Sequence, residues 1–198
     1  MRTQKQIAVL IFVALLGLTL ADSIARAETA TDGWQVSIPA YLSAGAYYLT
    51  GNNGSHSFSS ANAAAEILLS SPERPYSAAL FVDYHYSPDE HYNGILNAGA
   101  YAKYQGIRWD TTAALFNHDG PESSDLWAYA GRIRYRLVGN HKVGVEILGA
   151  LRDASSPNLG IGYYGDISDT LSIKIVAGAN FKSGTQRAAR TELIWQFN

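Results

Sequence analysis

The stretch WQVSIPAYLSAGAYY, residues 34–48, decides how this chain is read. Every second residue is apolar: Trp34, Val36, Ile38, Ala40, Leu42, Ala44, Ala46 and Tyr48. The residues between them, Gln35, Ser37, Pro39, Tyr41, Ser43, Gly45 and Tyr47, are mixed and mostly polar or small. A period of two is the signature of a β-strand with two unlike faces. A run of about 15 residues is far longer than the usual globular strand of about 5–6.

The same alternation recurs to the end of the chain. Turn signals divide it into ten strands, at roughly 34–48, 59–70, 75–87, 94–105, 107–118, 125–138, 141–152, 158–167, 170–182 and 186–198. Tight connections (SSPERP, YQGI, LVGNHK, DISD) alternate with longer polar ones (LTGNNGSHSFSS, SPDEHYNG, NHDGPESSD, RDASSPN, KSGTQ). That layout is an up-and-down antiparallel meander in one domain, with short turns at one end and loops at the other.

The apolar face carries Leu80, Ile133, Val143, Val145 and Ile175, and the opposite face collects the charges. In a soluble sandwich the apolar faces pack inward. Three features favour the inverse. Every segment reaches the about 9–11 tilted residues that span a bilayer. Aromatic residues cluster at both ends of the apolar face: Trp34, Tyr76, Tyr104, Trp109, Tyr135, Trp195 and Phe197 near the short turns, and Tyr48, Tyr84, Tyr86, Trp127 and Phe181 near the loops. Such rings make interfacial girdles. An even strand number also brings both termini to one side. The fold expected is therefore all-β, an up-and-down antiparallel transmembrane β-barrel of about ten strands. It closes because an open edge in hydrocarbon leaves unpaired backbone groups.

The start of the chain fits export. MRTQKQ is basic, IAVLIFVALLGLTLA is an apolar run of about 15 residues, and ARA before Glu28 is a small-x-small cleavage site. Residues 1–27 are expected to be a cleaved signal peptide and 28–198 a single barrel domain. Without Arg2, Lys5, Arg26 and Asp22, 12 basic and 16 acidic residues remain, which is no nucleic-acid footprint. There is no cysteine, so no disulfide framework.

The signal peptide, the alternating strands, the girdles and the aromatic end LIWQFN together resemble the small single-chain outer-membrane β-barrels of Gram-negative bacteria. The resemblance covers the whole mature chain and implies residence in the bacterial outer membrane. It also implies contact with outer-membrane lipid and lipopolysaccharide, and assembly by machinery that reads the terminal aromatic residue. Here Phe197 is penultimate and Asn198 follows. Such a resemblance sets fold and location and leaves activity open.

The inward face is where function is sought. Ten basic residues (Lys103, Arg108, Arg132, Arg134, Arg136, Lys142, Arg152, Lys174, Lys182 and Arg190) are expected to outnumber six acidic ones (Glu66, Asp83, Asp110, Glu146, Asp166 and Glu192). In GRIRYRL, Arg132, Arg134 and Arg136 fall on one wall. With Lys103, Lys174 and Arg190 they suggest a porin-like channel for transport of small anionic solutes. Internal salt bridging is the alternative, with Glu146 opposite Arg132 or Arg134 and Asp110 near Lys103. A sealed barrel that contacts an envelope or export partner is the second reading.

A hydrolase is the third. Asp83 and His85 share one wall near the loops, with His118, Asp119, Glu122 and Asp125 nearby. FVDYHYS resembles the Asp-x-His half of the omptin surface proteases, but no partner Asp-x-Asp is present. His56 precedes Ser57 directly, at the wrong spacing for the His-x-Ser pair of outer-membrane lipid A deacylases. No metal or other cofactor is expected.

Overall fold

A computed structural model describes residues 33–51, 54–89, 93–120, 123–153, 157–180 and 186–197. The expected leader, Phe181, Lys182, Glu122 and Asn198 lie outside these.

The chain forms ten antiparallel strands. They are β1 (Gln35–Ser37 and Ala40–Gly51), β2 (Gly54–Ser70), β3 (Tyr76–Tyr86), β4 (Ile95–Gln105) and β5 (Trp109–Gly120). Then come β6 (Ser123–Val138), β7 (His141–Ala150), β8 (Asn158–Asp166), β9 (Leu171–Asn180) and β10 (Gln186–Phe197). The two halves of β1 pair with β2 in one unbroken register, Ser37 with Leu68 and Ala40 with Ala65. Pro39 separates them. Its carbonyl accepts from the Glu66 N–H at 3.0 Å, but it has no N–H to return the bond.

Each strand pairs with the next, and β10 pairs with β1 from Arg187–Thr50 to Phe197–Ala40. The sheet is therefore a closed barrel. Paired residues can be followed round the ring from Val36 through Leu69, Ala78, Ala102, Ala113, Gly131, Ile147, Leu159, Ala179 and Arg187 to Thr50. The path returns fourteen residues further along the same strand. For ten strands that stagger sets a tilt of about 45° and a backbone radius of about 10 Å. Long side chains from facing strands meet across such a lumen.

The faces sort as the alternation requires. Leu42, Leu80, Leu115, Ile133, Val145, Ile161 and Ile175 are exposed on the outer wall. Asp110 and Glu192 are buried within. Outward aromatic residues band both ends. At the short-turn end Trp109 packs against Tyr135 (ring centroids 4.7 Å apart), Tyr76 against Tyr104 (5.3 Å), and Arg74 lies over Trp34. Trp195 and Phe197 are exposed in the same band. Tyr48, Tyr86 and Trp127 are exposed at the loop end. Trp127 and Tyr135 lie eight residues apart on β6, about 19 Å of height at about 3.3 Å per residue and this tilt. That fits inside the apolar band, about 25 Å tall, of outer-membrane barrels.

The loop end differs from the expectation. LTGNNGSHSFSS is not a long loop: β1 and β2 run on until Gly51 pairs with Gly54. Likewise β5 and β6 extend to a Gly120–Ser123 pair past an irregularity at His118. Polar alternation read as loop is strand that continues beyond the apolar band, where both faces meet water. His56 thereby sits on β2 and pairs with Asp89.

Candidate functional site

The lumen is built by the inward residues of all ten strands, and most of its charges fall into two linked clusters. Near the short turns, Asp110 on β5 accepts from Arg134 Nε of β6 at 2.5 Å and from Lys142 Nζ of β7 at 2.7 Å. Only 5% of the Asp110 side chain is exposed. Both of its oxygens are occupied, which offsets the desolvation of a buried carboxylate.

The second cluster lies at mid-height around Glu146 of β7. Arg190 Nη2 of β10 donates to it at 2.5 Å, Lys174 Nζ of β9 at 3.1 Å, and Arg132 Nη1 of β6 lies 3.9 Å away. Glu192 of β10 accepts from the Tyr47 hydroxyl of β1 at 2.5 Å. It stands 3.6 Å from Lys174 and 4.0 Å from Arg190.

Tyr164 of β8 ties the clusters together. Its ring lies under Arg134 (5.1 Å), Arg132 (5.5 Å) and Lys174 (6.0 Å). The guanidiniums of Arg132 and Arg134, two residues apart on one wall, are held close by an aromatic face and by carboxylates that offset their repulsion. The ring lies flat because Gly162 has no side chain: a Cβ there would come within 2.7 Å of the Tyr164 hydroxyl.

On the opposite wall Glu66 of β2 accepts from Tyr101 at 2.6 Å and Tyr41 at 3.3 Å. Towards the loops, Asn97 of β4 donates to Asp83 at 3.2 Å, and His118 Nδ1 donates to Asn97 Oδ1 at 2.8 Å. Tyr47 stacks on Phe58 (5.0 Å), with His85 edge-on to it at 5.9 Å.

Six of the residues proposed for the lumen are therefore placed as follows. Arg132, Arg134, Lys174 and Arg190 converge on the two clusters. Lys103 is inward on β4, in register with Thr112, and Asp110 faces Arg134 and Lys142 instead of it. Arg136 shares the face of Arg132 and Arg134, in register with Lys142, but is exposed at the short-turn rim, so two members of the arginine column reach the buried clusters. Among the other inward charges expected, Arg108 is exposed beside Tyr135 at 3.5 Å, Arg152 lies in a 3₁₀ turn after β7, and Asp166 is exposed at a strand end. Among the described residues, the inner wall then carries six basic groups (Lys103, Arg132, Arg134, Lys142, Lys174, Arg190) against five carboxylates (Glu66, Asp83, Asp110, Glu146, Glu192). Among the described residues the surplus is one instead of the expected four: Arg108 and Arg152 fall in turns, Arg136 and Asp166 are exposed at the rim, and Lys182 lies outside the described residues.

The hydrolase candidates are only partly gathered. Asp83 and His118 are linked through Asn97, and His85 packs with Tyr47. His118 and Asp119 face opposite sides of β5. Among the described residues no three His, Asp or Glu side chains converge as a metal site would need. Sequence reasoning missed Asn97, Tyr47 and Tyr164. Their inward parity was readable, but nothing local marked them as partners.

No protein-family model matches the chain, and no curated protein matches it. Solved structures do. A KdgM porin in complex with disordered oligogalacturonate aligns with a TM-score of 0.53 and 10% identity, covering 80% of this chain and 99% of that one. A second KdgM porin structure aligns at 0.49 and 10% identity, covering 81% and 99%. A variant of the Rh. blastica porin aligns at 0.39 and 9%, covering 82% and 100%. The likeness is one of fold: a closed antiparallel β-barrel, here with ten strands.

Proposed function

We propose that the protein is a narrow pore of the bacterial outer membrane that favours small anionic solutes. One observation carries this: among the described residues the inner wall holds six basic groups against five carboxylates, and each carboxylate is engaged by an inward donor. Asp110, Glu146, Glu192 and Glu66 each accept at least one strong hydrogen bond from an inward side chain. The Nε groups of Arg132 and Arg190 have no hydrogen-bond partner. A passing anion meets a wall whose carboxylates are already engaged and whose basic groups outnumber them by one, with Arg132 and Arg190 part-exposed to the lumen. Low-dielectric walls focus the field of the unmatched positive charge. The Arg132 and Arg190 side chains keep 28% and 29% of their surface, which leaves them open to lumenal water.

A second reading has its own support. The Arg190–Glu146 contact joins strands three apart and narrows the lumen. That favours a sealed barrel acting on an envelope partner through its rim.

Planar-bilayer recording under a salt gradient separates the two. The pore gives a reversal potential biased towards the anion, and Arg132→Gln lowers that bias. A folded, heat-modifiable barrel that passes no current overturns the pore and leaves the sealed reading.

A further inference from the structure

Glu146 sits where three cations converge from three other strands: Arg132 on β6, Lys174 on β9 and Arg190 on β10, at 3.9, 3.1 and 2.5 Å. The other carboxylate facing them, Glu192, is turned to the Tyr47 hydroxyl at 2.5 Å and lies further from Lys174 and Arg190, at 3.6 and 4.0 Å. Positive charge therefore exceeds negative at this level by one. Two guanidinium Nε donors there find no acceptor. The wall beside Glu146 is bare: its register neighbour on β8 is Gly160, and the next on β9 is Gly178.

We infer that Arg132, Lys174 and Arg190 form an anion cradle whose resident is Glu146, and that the cradle binds the carboxylate of a small solute when Glu146 is removed or displaced. This deepens the pore reading and rests on it for the solute's access from the lumen. The chemistry is ordinary. A carboxylate offers about four acceptor sites, and charge-assisted bonds to it are roughly twice as strong as neutral ones. Glu146 is thus a tethered competitor that keeps the site occupied between solutes. Its tether sets a high local concentration of carboxylate, so a free solute must exchange against it.

Glu146→Ala deletes one methylene and one carboxylate, the shape of acetate. The purified Glu146→Ala barrel in detergent is unfolded by heat in acetate or in chloride at equal ionic strength. Acetate is expected to raise its midpoint by about 3 °C over chloride, as a ligand of the folded state does. Wild type and Glu146→Gln, whose cradles are filled, are expected not to discriminate between the salts. If Glu146→Ala folds poorly, refolding yield replaces the midpoint: a yield restored by acetate alone supports the cradle, and equal yields in both salts overturn it. An equal shift in Glu146→Gln also overturns it. The readout does not depend on conduction. Acetate stabilisation in a barrel that passes no current upholds the cradle and removes the pore. Current without any acetate effect in Glu146→Ala removes the cradle and leaves the pore.

Discussion

Arg190 and Glu146 stand on β10 and β7, with two strands between them along the wall, yet Nη2 and Oε2 are 2.5 Å apart across the lumen. A barrel of about 10 Å radius lets such side chains meet, so stability and passage depend on the same contact. Arg190→Ala leaves Glu146 with Lys174 and a distant Arg132, and is expected to cost about 2 kcal/mol. Pairing it with Glu146→Gln is expected to recover part of that loss. A double-mutant cycle by urea unfolding in detergent measures the coupling, and additive losses would contradict it.

Asp110 holds both Arg134 and Lys142. Asp110→Ala strands two buried cations and is expected to cost about 3 kcal/mol. Lys142→Met leaves Asp110 bound to Arg134 and is expected to cost about 1 kcal/mol. Equal losses in equilibrium unfolding would show that Asp110 does not organise the cluster.

Gly162→Ala places a Cβ within 2.7 Å of the Tyr164 hydroxyl. The obstructing atom is the end of a side chain, so the expected cost is only about 1 kcal/mol. In a Tyr164→Leu background the obstruction is gone, and the same substitution is expected to cost near zero. The two unfolding midpoints, compared across backgrounds, check this.

Ile161 is 73% exposed on the outer wall between the aromatic bands. Ile161→Arg is expected to lower folding stability in lipid by about 2–4 kcal/mol. Ser43→Arg faces the lumen, where water solvates the new charge, and is expected to cost less. The reverse order in vesicle refolding would contradict the assignment of faces.

The strands and their two alternating faces were legible in the sequence because the period of two is a local signal. The ends were not. Ser55–Ser57 and Asn117–Gly120 look like loop by composition, yet their strands continue because backbone pairing outside the apolar band needs no apolar side chains. Parity assigned Arg132 and Arg134 to the lumen but also carried Arg108 and Arg152 inward, where a turn breaks the alternation. The pairing of Arg190 with Glu146 depends on the stagger of the closed barrel, and no single hairpin contains it.

The central claim is an inside-out protein, and β6 tests it most directly. The chain has no cysteine, so a nitroxide on a single introduced cysteine is unambiguous. Labels placed in turn at positions 131 to 135 in lipid vesicles are probed with oxygen and with a water-soluble nickel complex. The account predicts oxygen access at 131, 133 and 135 and nickel access at 132 and 134, in opposite phase with a period of two. Oxygen access at 132 and 134, or the absence of any alternation, would contradict it.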